Sequence, residues 1–600
     1  MPTSDISPRT FGNEDSLPRV PLPTLERSVE RFLEWSDPLL DAEQRADTRR
    51  AAAEFQAADG PARRAQAELE REEAEQRGAS WLDDFWRSRY LGRRDRIALN
   101  ANFFFLFRDG TSDQITRAAE LIRSAVEFKR AIEAGSVPPT VRGGRPQSMV
   151  QLKHVFSTTR IPGLEQDTVR TPYSADWRDP SDAHHIVVFR RGHLFAMDVL
   201  DQQGNPFPMR ALTAELQSII TAGAEHAPAG TSIGPLTTMA RADWANARSA
   251  LLACDEHNKH QLDMVERALF CLSLDDHTPA DPDAACHDLL AGDSTNRFFD
   301  KALSLIVFAD GTAGLNGEHS LLDGTSLLAA AEAMLAWDPP SDETSDPRAI
   351  ASGQAVPRLT QVEFTMDRAL TATVTRAAEE FAAYSADTAT RLLRVKDFTS
   401  ENSKALGVSP DAFVQIAFQL AHVRAKGRIG ATYESIATRG YKHGRTEAMR
   451  VITPELAHFV ELMGDPASPR EARRAAFDAA AAAHIARVKQ CQSGDAPEQH
   501  LWELGLRIQR HGEPTPALYD SPGWRVMRAD AMSTSSLPSD LIQVFGFGAT
   551  GGDCLGVGYS LRRNRFDLYL ATPKSAAAGL EAFAAALPDA LAELSALLSS

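Results

Sequence analysis

Short apolar runs bounded by turn residues alternate with helical segments along most of this chain. Residues 184–200 read HHIVVFRRGHLFAMDVL and predict two strands that are joined at residues 190–192. Residues 304–320 read SLIVFADGTAGLNGEHS and predict a second hairpin that turns at Asp310-Gly311. A helix is expected to follow at about 325–337. Strands and helices that alternate in this way are typical of mixed α/β folds.

A stretch rich in Pro, Asp and Ser, residues 337–358, has the composition of a linker and predicts a domain boundary. A chain of 600 residues is long enough for two domains with separate cores. The first twenty residues are polar and interrupted by prolines, and they predict a flexible arm at 1–20. Further helices are expected at 25–77, 367–394, 410–426, 470–490 and from Lys574, and further strands at 540–549, 554–561 and 565–571.

Charge and composition exclude several classes of partner. The formal net charge of −17 disfavours binding to nucleic acid or to anionic lipid surfaces. The apolar runs are too short to span a bilayer, and the N-terminus lacks the apolar core of a signal peptide. Five scattered cysteines without a CxxC pair fit a reducing compartment. We therefore expect a cytoplasmic protein, a monomer, with no nucleic-acid or membrane partner.

His319 lies between two carboxylates, Glu318 and Asp323, in the glycine-rich segment DGTAGLNGEHSLLDGT. The pattern places His319 on a strand and Asp323 where the next helix begins. That spacing lets the carboxylate fold back onto one ring nitrogen and leaves the other nitrogen free as a general base. A histidine in an apolar run is more often a core residue, so this pattern by itself is a weak signal.

Other segments that contain histidine pairs, glycines or runs of charge are interpreted as structural. His184-His185 and the HNKH of 257–260 lack a carboxylate or cysteine at metal-ligand spacing, which favours surface or structural roles and predicts no metal site. The glycine-rich FGFGATGGDCLGVG, residues 545–558, carries neither GxGxxG nor GK[ST]. The charged run at 63–77 is interpreted as the solvated face of a helix.

Four segments resemble the choline/carnitine acyltransferase family, in the family's order, over about residues 17–590. They are LPRVPLPTLERSVERFLEWSDPLL at 17–40, NRFFDKALSLIVFADGTAGLNGEHSLLDGT at 296–325, SPDAFVQIAFQLAHVRAKGRIGATYESIATRGYKHGRTEAMR at 409–450, and MSTSS at 532–536. The resemblance implies an α/β fold of two chloramphenicol-acetyltransferase-like mixed-sheet domains with an active-site tunnel at their interface. The implied domains are 98–355, which carries the histidine, and 21–97 plus 356–600, which carries the Ser-Thr-Ser motif and the acceptor site.

The same resemblance implies the chemistry. An acyl group would move between a pantetheine thioester and a hydroxyl group, with no metal, no bound cofactor and no acyl-enzyme. His319 would deprotonate the hydroxyl group, with Asp323 beside it, and Ser535 would donate a hydrogen bond to the oxyanion. A base and an oxyanion donor are what such a transfer requires.

For the acceptor, Tyr433 and Thr446 match two of the three residues with which carnitine enzymes bind the substrate carboxylate. The third, an arginine in a D-R-H-L motif, is replaced here by Gln499. Gln499 cannot pair with an anion, so carnitine is expected to be a poorer acceptor than choline unless Arg445 supplies the charge. Choline enzymes have a neutral amide at this position but lack the threonine. Ser533 and Phe547 would contact the trimethylammonium group, Phe547 through cation–π attraction.

For the donor, Asp411 matches the family's acidic residue, and Lys404 matches one of the two lysines that hold the phosphates of coenzyme A. The other lysine position falls on Ser400, or on Lys396 if the loop carries an insertion. Phe545 stands where the longer-chain enzymes have glycine, which predicts a short acyl group. An acyl carrier protein remains an alternative donor.

Three functions stay open from the sequence. The first is transfer of a short acyl group between coenzyme A and carnitine or a carnitine-like acceptor, and the second is O-acylation of choline or a polyol. The third is a non-catalytic binding protein, which the presence of His319, Asp323 and Ser535 disfavours. All three imply small-molecule ligands.

Overall fold

The structure is a computed structural model that describes residues 6–338, 356–537 and 539–599. Its helices are α1 Leu25–Ser36, α2 Ala42–Phe55, α3 Pro61–Ala74, α4 Asp83–Leu91, α5 Gln114–Glu133, α6 Met209–Ala222, α7 Arg241–Cys254, α8 Glu256–Arg267, α9 Pro282–Ala291, α10 Gly324–Leu335, α11 Arg368–Ala386, α12 Ser400–Ala405, α13 Pro410–Lys426, α14 Pro454–Gly464, α15 Arg470–Gln492, α16 Glu498–Arg510, α17 Pro522–Arg528 and α18 Ala577–Leu598. Its strands are β1 Phe103–Phe107, β2 Val141–Arg142, β3 Arg145–Pro146, β4 Thr159–Ile161, β5 Thr168–Arg170, β6 His185–Arg190, β7 His193–Asp198, β8 Cys271–Leu274, β9 Leu303–Val307, β10 Ala313–Gly317, β11 Leu359–Val362, β12 Thr388–Val395, β13 Thr432–Ala437, β14 Thr446–Arg450, β15 Met532–Ser536, β16 Ile542–Phe547, β17 Leu555–Leu561 and β18 Phe566–Pro573.

Two large mixed sheets organise the described residues. One has eight strands in the order β11-β7-β6-β8-β9-β10-β1-β16, and the other has six in the order β12-β18-β17-β15-β13-β14. In the first, β8 is parallel to β6 and β9, and in the second, β15 is parallel to β13 and β17. Their remaining strand pairs are antiparallel. The predicted mixed α/β architecture with two mixed sheets is confirmed.

The first sheet takes two strands from the segment assigned by sequence to the second domain. β11 pairs with β7, and β16 pairs with β1, with Phe547 opposite Phe103. The predicted division at 355 is therefore wrong for these two strands. β16 is held by the backbone ladder to β1, and it also packs against β17 and β18 of the smaller sheet. It thereby ties the two sheets together.

The N-terminal helices lie with the smaller sheet's domain. Val29 and Phe32 of α1 share one apolar cluster with residues of α13, α16 and α18. The Phe32 ring lies 6.1 Å from the ring of Trp524 in α17. Burial of such large rings contributes a few kcal/mol each, which holds residues hundreds of positions apart together.

Most elements follow the sequence prediction, with three differences. Residues 388–394, predicted as the end of a helix, form β12, because their backbone pairs with β18 over its whole length. His319 lies just after β10 rather than on it. Residues 6–20 are not a loose arm, since Thr10 and Leu17 are buried and the Thr10 amide donates to the Gly135 carbonyl. Residues 1–5 and 339–355, with most of the predicted linker, lie outside the described residues.

The first hairpin turns as predicted, with Arg191 and Gly192 at φ values of 49° and 80°. Both values belong to the tight two-residue turn that matches the strand twist. Among the helices described, none has both the length and the apolar composition needed to cross a bilayer.

Candidate active site

One cavity of about 680 Å³ lies between the two sheets and collects most of the predicted site residues. Its walls come from α4, the β10–α10 turn, β13, β14, β15, β16 and α16. The predicted residues that line it are His319, Asp323, Asp411, Tyr433, Thr446, Gln499, Ser533, Ser535, Phe545 and Phe547. Residues spread over more than two hundred positions of sequence thus share one space that is large enough for small-molecule substrates.

His319 reaches this cavity from the turn that directly follows β10. Gly317 ends the strand, and a Cβ atom there would lie 2.5 Å from Leu327 Cδ1, so a larger residue would displace the buried Leu327 side chain. The imidazole stacks on Tyr90, with ring centroids 4.9 Å apart, and meets the edge of Phe103 at 5.3 Å. Its side chain is 28% exposed. Two aromatic rings therefore fix the imidazole while part of it faces the cavity.

Asp323 is held by Arg445 rather than by His319. The Arg445 Nη2 donates to Asp323 Oδ1 at 2.8 Å, and Gln151 Nε2 donates to Oδ2 at 2.7 Å. The distance from Asp323 Oδ1 to His319 Nδ1 is 3.7 Å, too long for a hydrogen bond. The predicted carboxylate–imidazole hydrogen bond is wrong, because the guanidinium has taken the carboxylate.

Arg445 also fixes the backbone that carries the histidine. Its Nη1 donates to the Ser320 carbonyl at 2.6 Å, and its Nη2 donates to the His319 carbonyl at 3.0 Å. The guanidinium carbon lies 4.4 Å from the centroid of the Tyr90 ring. Because its donors are engaged on this turn, Arg445 does not supply a free charge for an acceptor. It acts as a positioning residue for His319.

Glu318, the other carboxylate beside the histidine, turns away from it. It accepts from the Ser320 hydroxyl at 2.6 Å and lies 3.3 Å from Arg160 Nη1, and all of these groups are buried. Of the two carboxylates flanking His319 in the sequence, only Asp323 lines the cavity.

Burial lowers the pKa of His319 below the 6.5 of a free imidazole, the Asp323 carboxylate works against that shift, and Arg445 adds to it. Burial alone would raise the pKa of Asp323, but Arg445 outweighs burial and the pKa of Asp323 is lowered. The ring's Nδ1 has no hydrogen-bond partner among the described residues. At neutral pH the site therefore holds a neutral imidazole beside an ionised carboxylate, the state that a general base requires.

We expect the acid limb of the pH profile to report this shift. Because only the neutral imidazole accepts a proton, kcat/KM should stay level as the pH falls through 6.5 and drop only below it. Measurement of kcat/KM between pH 4.5 and 8 checks this. A midpoint above 6.5 would show that burial does not control His319.

The Ser-Thr-Ser motif forms β15, with Ser533 opposite Tyr433 of β13 and Ser535 opposite Gly558 of β17. Ser533, Thr534 and Ser535 all line the cavity, and the two serines lie on the same face of the strand. The Thr534 hydroxyl donates to the Tyr433 carbonyl at 2.9 Å and anchors the strand. The two serine hydroxyls are left as donors toward the cavity.

Gln499 lies on α16, and its side-chain amide makes one hydrogen bond within the protein. Its Nε2 donates to the Thr446 carbonyl at 2.8 Å. Its Oε1 is buried and, within the described chain, accepts no hydrogen bond. Gln499 therefore has an acceptor oxygen and one further N–H group at the cavity wall, but no charge.

The residues predicted to hold coenzyme A separate in the structure. Asp411 lines the cavity and accepts from the Tyr559 hydroxyl at 2.8 Å and from His484 at 3.1 Å. Lys404 is exposed, pairs with Glu401 at 3.0 Å and is not among the cavity residues.

Asp411, Glu434 and His484 also bring their ligand atoms within 4.8 Å of one another, as a metal site would. The Glu434 Oε1 lies 2.9 Å from the Tyr559 hydroxyl, whereas Glu434 Oε2 and His484 Nδ1 have no hydrogen-bond partner among the described residues. Burial raises the pKa of Glu434, and the neighbouring Asp411 raises it further.

Sequence reasoning missed several residues of the cavity. Tyr90, Arg89 and Trp86 come from α4, whose sequence DDFWRSRYL carries no pattern that marks a site. Gln151 was also missed. Arg445 stands directly before Thr446 in GRTEA, and that adjacency was the one available signal. His185 bonds to the Met264 carbonyl at 2.8 Å, away from the cavity, as its structural interpretation predicts.

Known proteins resemble this chain over most of its length. Residues 20–589 match the family described as Choline/Carnitine o-acyltransferase. Carnitine O-palmitoyltransferase 2 of Rattus norvegicus is 31% identical over 598 residues, which cover 92% of this chain and 87% of that protein. Carnitine O-acetyltransferase of Rattus norvegicus is 28% identical over 574 residues, with 92% and 89% covered. Among solved structures, the TRI3 trichothecene 15-O-acetyltransferase from Fusarium sporotrichioides aligns at a TM-score of 0.36 and 9% identity, over 84% of this chain and 92% of that one.

Proposed function

The chain belongs to the choline/carnitine O-acyltransferase family, and from this premise we propose that it transfers a short acyl group between a coenzyme A thioester and the hydroxyl group of carnitine or a carnitine-like acceptor. The observation that carries the proposal is that His319, Ser533 and Ser535 line one cavity. A base and hydroxyl donors in one cavity are the groups that thioester-to-alcohol transfer requires.

His319 is assigned the proton transfers. Its Nε2, the ring nitrogen other than the buried Nδ1, takes the proton of the acceptor hydroxyl as the oxygen attacks the thioester carbonyl carbon. The carbonyl oxygen becomes an oxyanion, which accepts a hydrogen bond from Ser535. When the intermediate collapses, the C–S bond breaks and the thiolate takes the proton from the imidazolium. The histidine returns to its neutral form, so no group remains modified.

The test is release of free thiol from acetyl-coenzyme A by the purified protein, with carnitine, choline or glycerol added. Release that depends on an added acceptor, with the acyl ester as product, is expected. Release at the same rate without any acceptor would mean hydrolysis and would reject transfer.

The donor has a second candidate, a phosphopantetheine carried by an acyl carrier protein. It is favoured by the position of Lys404, which is exposed and outside the cavity. The two donors are distinguished by comparing kcat/KM for acetyl-coenzyme A with that for an acetylated carrier protein.

The position of Phe545 supports the proposal that the transferred acyl group is short. Its side chain is buried among Phe103, Phe105 and Phe547, with ring centroids 6.4, 5.9 and 5.8 Å away. One relative is named for palmitoyl transfer and another for acetyl transfer. A phenyl ring at the cavity wall fills the space that additional methylene groups would need.

We therefore expect Phe545→Gly to raise the palmitoyl-to-acetyl ratio of kcat/KM by roughly tenfold or more, because each buried methylene contributes about 0.8 kcal/mol. The ratio is measured with both thioesters on the same preparation, so lost stability lowers both activities and cancels. Faster turnover of palmitoyl than of acetyl thioester by the unchanged protein would contradict the proposed chain length.

For location and assembly we propose a cytoplasmic monomer. The five cysteines are free, which supports a reducing compartment. The carnitine O-palmitoyltransferase 2 of Rattus norvegicus is named as mitochondrial. Cell fractionation therefore decides between a cytoplasmic and a mitochondrial location.

A further inference from the structure

Arg89 is a positive charge at the cavity wall without an opposite charge beside it. It lies near the end of α4, lines the cavity, and its guanidinium carbon is 5.0 Å from the centroid of the Trp502 ring. Within residues 6–338, 356–537 and 539–599, it makes no ion pair and no hydrogen bond. The residue is partly buried.

The arginines around Arg89 are neutralised by the protein itself. Arg450 and Arg528 both bind Glu498, at 2.6 Å each, and Arg450 also pairs with Asp530. Arg93 pairs with Asp95 at 2.6 Å. The side chain of Arg142 reaches the cavity too, but this residue is exposed and already solvated. Arg89 is therefore a cation without a carboxylate in a wall where Arg93, Arg450 and Arg528 each have one.

Such a charge is unfavourable without a counter-charge. Burial lowers the pKa of Arg89, and the neighbouring Arg528 lowers it further. A buried charge that lacks a partner is destabilising unless a ligand provides one. A guanidinium presents a planar fork of donors that matches the two oxygens of a carboxylate.

Its place in the cavity is the acceptor side. Trp502, which Arg89 covers, lies one helical turn after Gln499 on α16. Tyr433 also lines the cavity, and the charge of Arg89 acts against the burial that raises the pKa of the Tyr433 hydroxyl. The resemblance to carnitine enzymes implies that Tyr433, Thr446 and Gln499 bind the substrate carboxylate. Gln499 cannot provide a positive charge, because its amide is neutral.

We propose that Arg89, from α4, recognises an anionic group of the acceptor and takes over the charge that Gln499 does not supply. The acceptor is then a hydroxy acid of the carnitine type rather than choline or a neutral polyol. This inference rests on the proposed acyl transfer, and it reverses the preference for choline that Gln499 alone predicts.

The test compares carnitine with choline, two quaternary ammonium alcohols of which only carnitine has a carboxylate. The ratio of their kcat/KM values, with acetyl-coenzyme A, is measured for the unchanged protein, Arg89→Met and Arg89→Lys. Arg87→Met is the matched control, because Arg87 is an exposed arginine of the same helix that pairs with Asp84 at 3.1 Å. Binding of carnitine and choline to each variant is measured in parallel by calorimetry.

We expect the unchanged protein to favour carnitine and Arg89→Met to lower the carnitine-to-choline ratio by roughly 30-fold or more, chiefly through KM for carnitine. Arg89→Lys should retain part of the ratio, and Arg87→Met should leave it unchanged. Adding Gln499→Arg to Arg89→Met should restore the preference for carnitine, which a merely structural role of Arg89 would not allow.

Two results would overturn the inference: a wild-type preference for choline, or a ratio that Arg89→Met leaves unchanged. If no acceptor is acylated, the proposed function fails, and calorimetry then judges Arg89 independently. Carnitine binding that weakens in Arg89→Met would support the anion site, and equal binding of carnitine to both proteins would reject it.

Discussion

Replacement of His319 with alanine is expected to lower kcat/KM for acyl transfer by roughly 10²- to 10⁴-fold, the contribution of a positioned general base. The neutral imidazole, stacked on Tyr90 and facing the cavity, is the group assigned to accept the acceptor's proton. No other histidine of the described chain lines this cavity. The rate is measured with purified protein and saturating acetyl donor, and thermal unfolding shows that the fold is retained.

The matched control is His443→Asn. His443 is exposed, lies two residues from Arg445 and has a φ of 52°, a backbone conformation that asparagine tolerates. It should keep the wild-type rate. If His319→Ala retains more than a few per cent of that rate, His319 is not the base.

The second large effect is expected at Arg445. Arg445→Met leaves the buried Asp323 carboxylate with Gln151 as its main partner, and loss of one member of a buried ion pair typically destabilises by about 3–5 kcal/mol. It also frees the carbonyl groups of His319 and Ser320, so the histidine loses its fixed orientation. Both the free energy of unfolding and kcat should fall.

Two readouts separate positioning from general destabilisation. Since the Arg445 charge lowers the pKa of His319, its removal should raise the midpoint of the acid limb of the pH profile. Arg445→Met combined with Asp323→Asn should be destabilised less than Arg445→Met alone, because no unpaired carboxylate remains. An exposed pair is the control: Arg474→Met, opposite Asp478 at 3.2 Å, should change stability by less than about 1 kcal/mol. An unchanged pH midpoint, or a double variant no more stable than the single one, would argue against this role of Arg445.

Local features of the sequence were sufficient for much of the fold. The hairpin at Arg191 and Gly192, the strand predicted at 554–561 and the helix that begins after Asp323 are confirmed. Each depends on residues within a few positions of one another, through turn geometry, alternation or helical periodicity. By contrast, the local sequence of residues 388–394 favours a helix. These residues form a strand because their backbone pairs with β18.

The sequence by itself determined the identity of the chemical groups: a histidine after an apolar strand, two serines two residues apart, and an acyltransferase order of motifs. Only the tertiary structure decided how those groups are paired. Asp323 binds Arg445, which is 122 residues away, and Arg89 is left without a carboxylate while Arg528 is given one. The physical reason is that ion pairs, ring stacking and burial depend on which distant surfaces meet in space. A pattern of neighbouring residues does not determine which distant residues will meet.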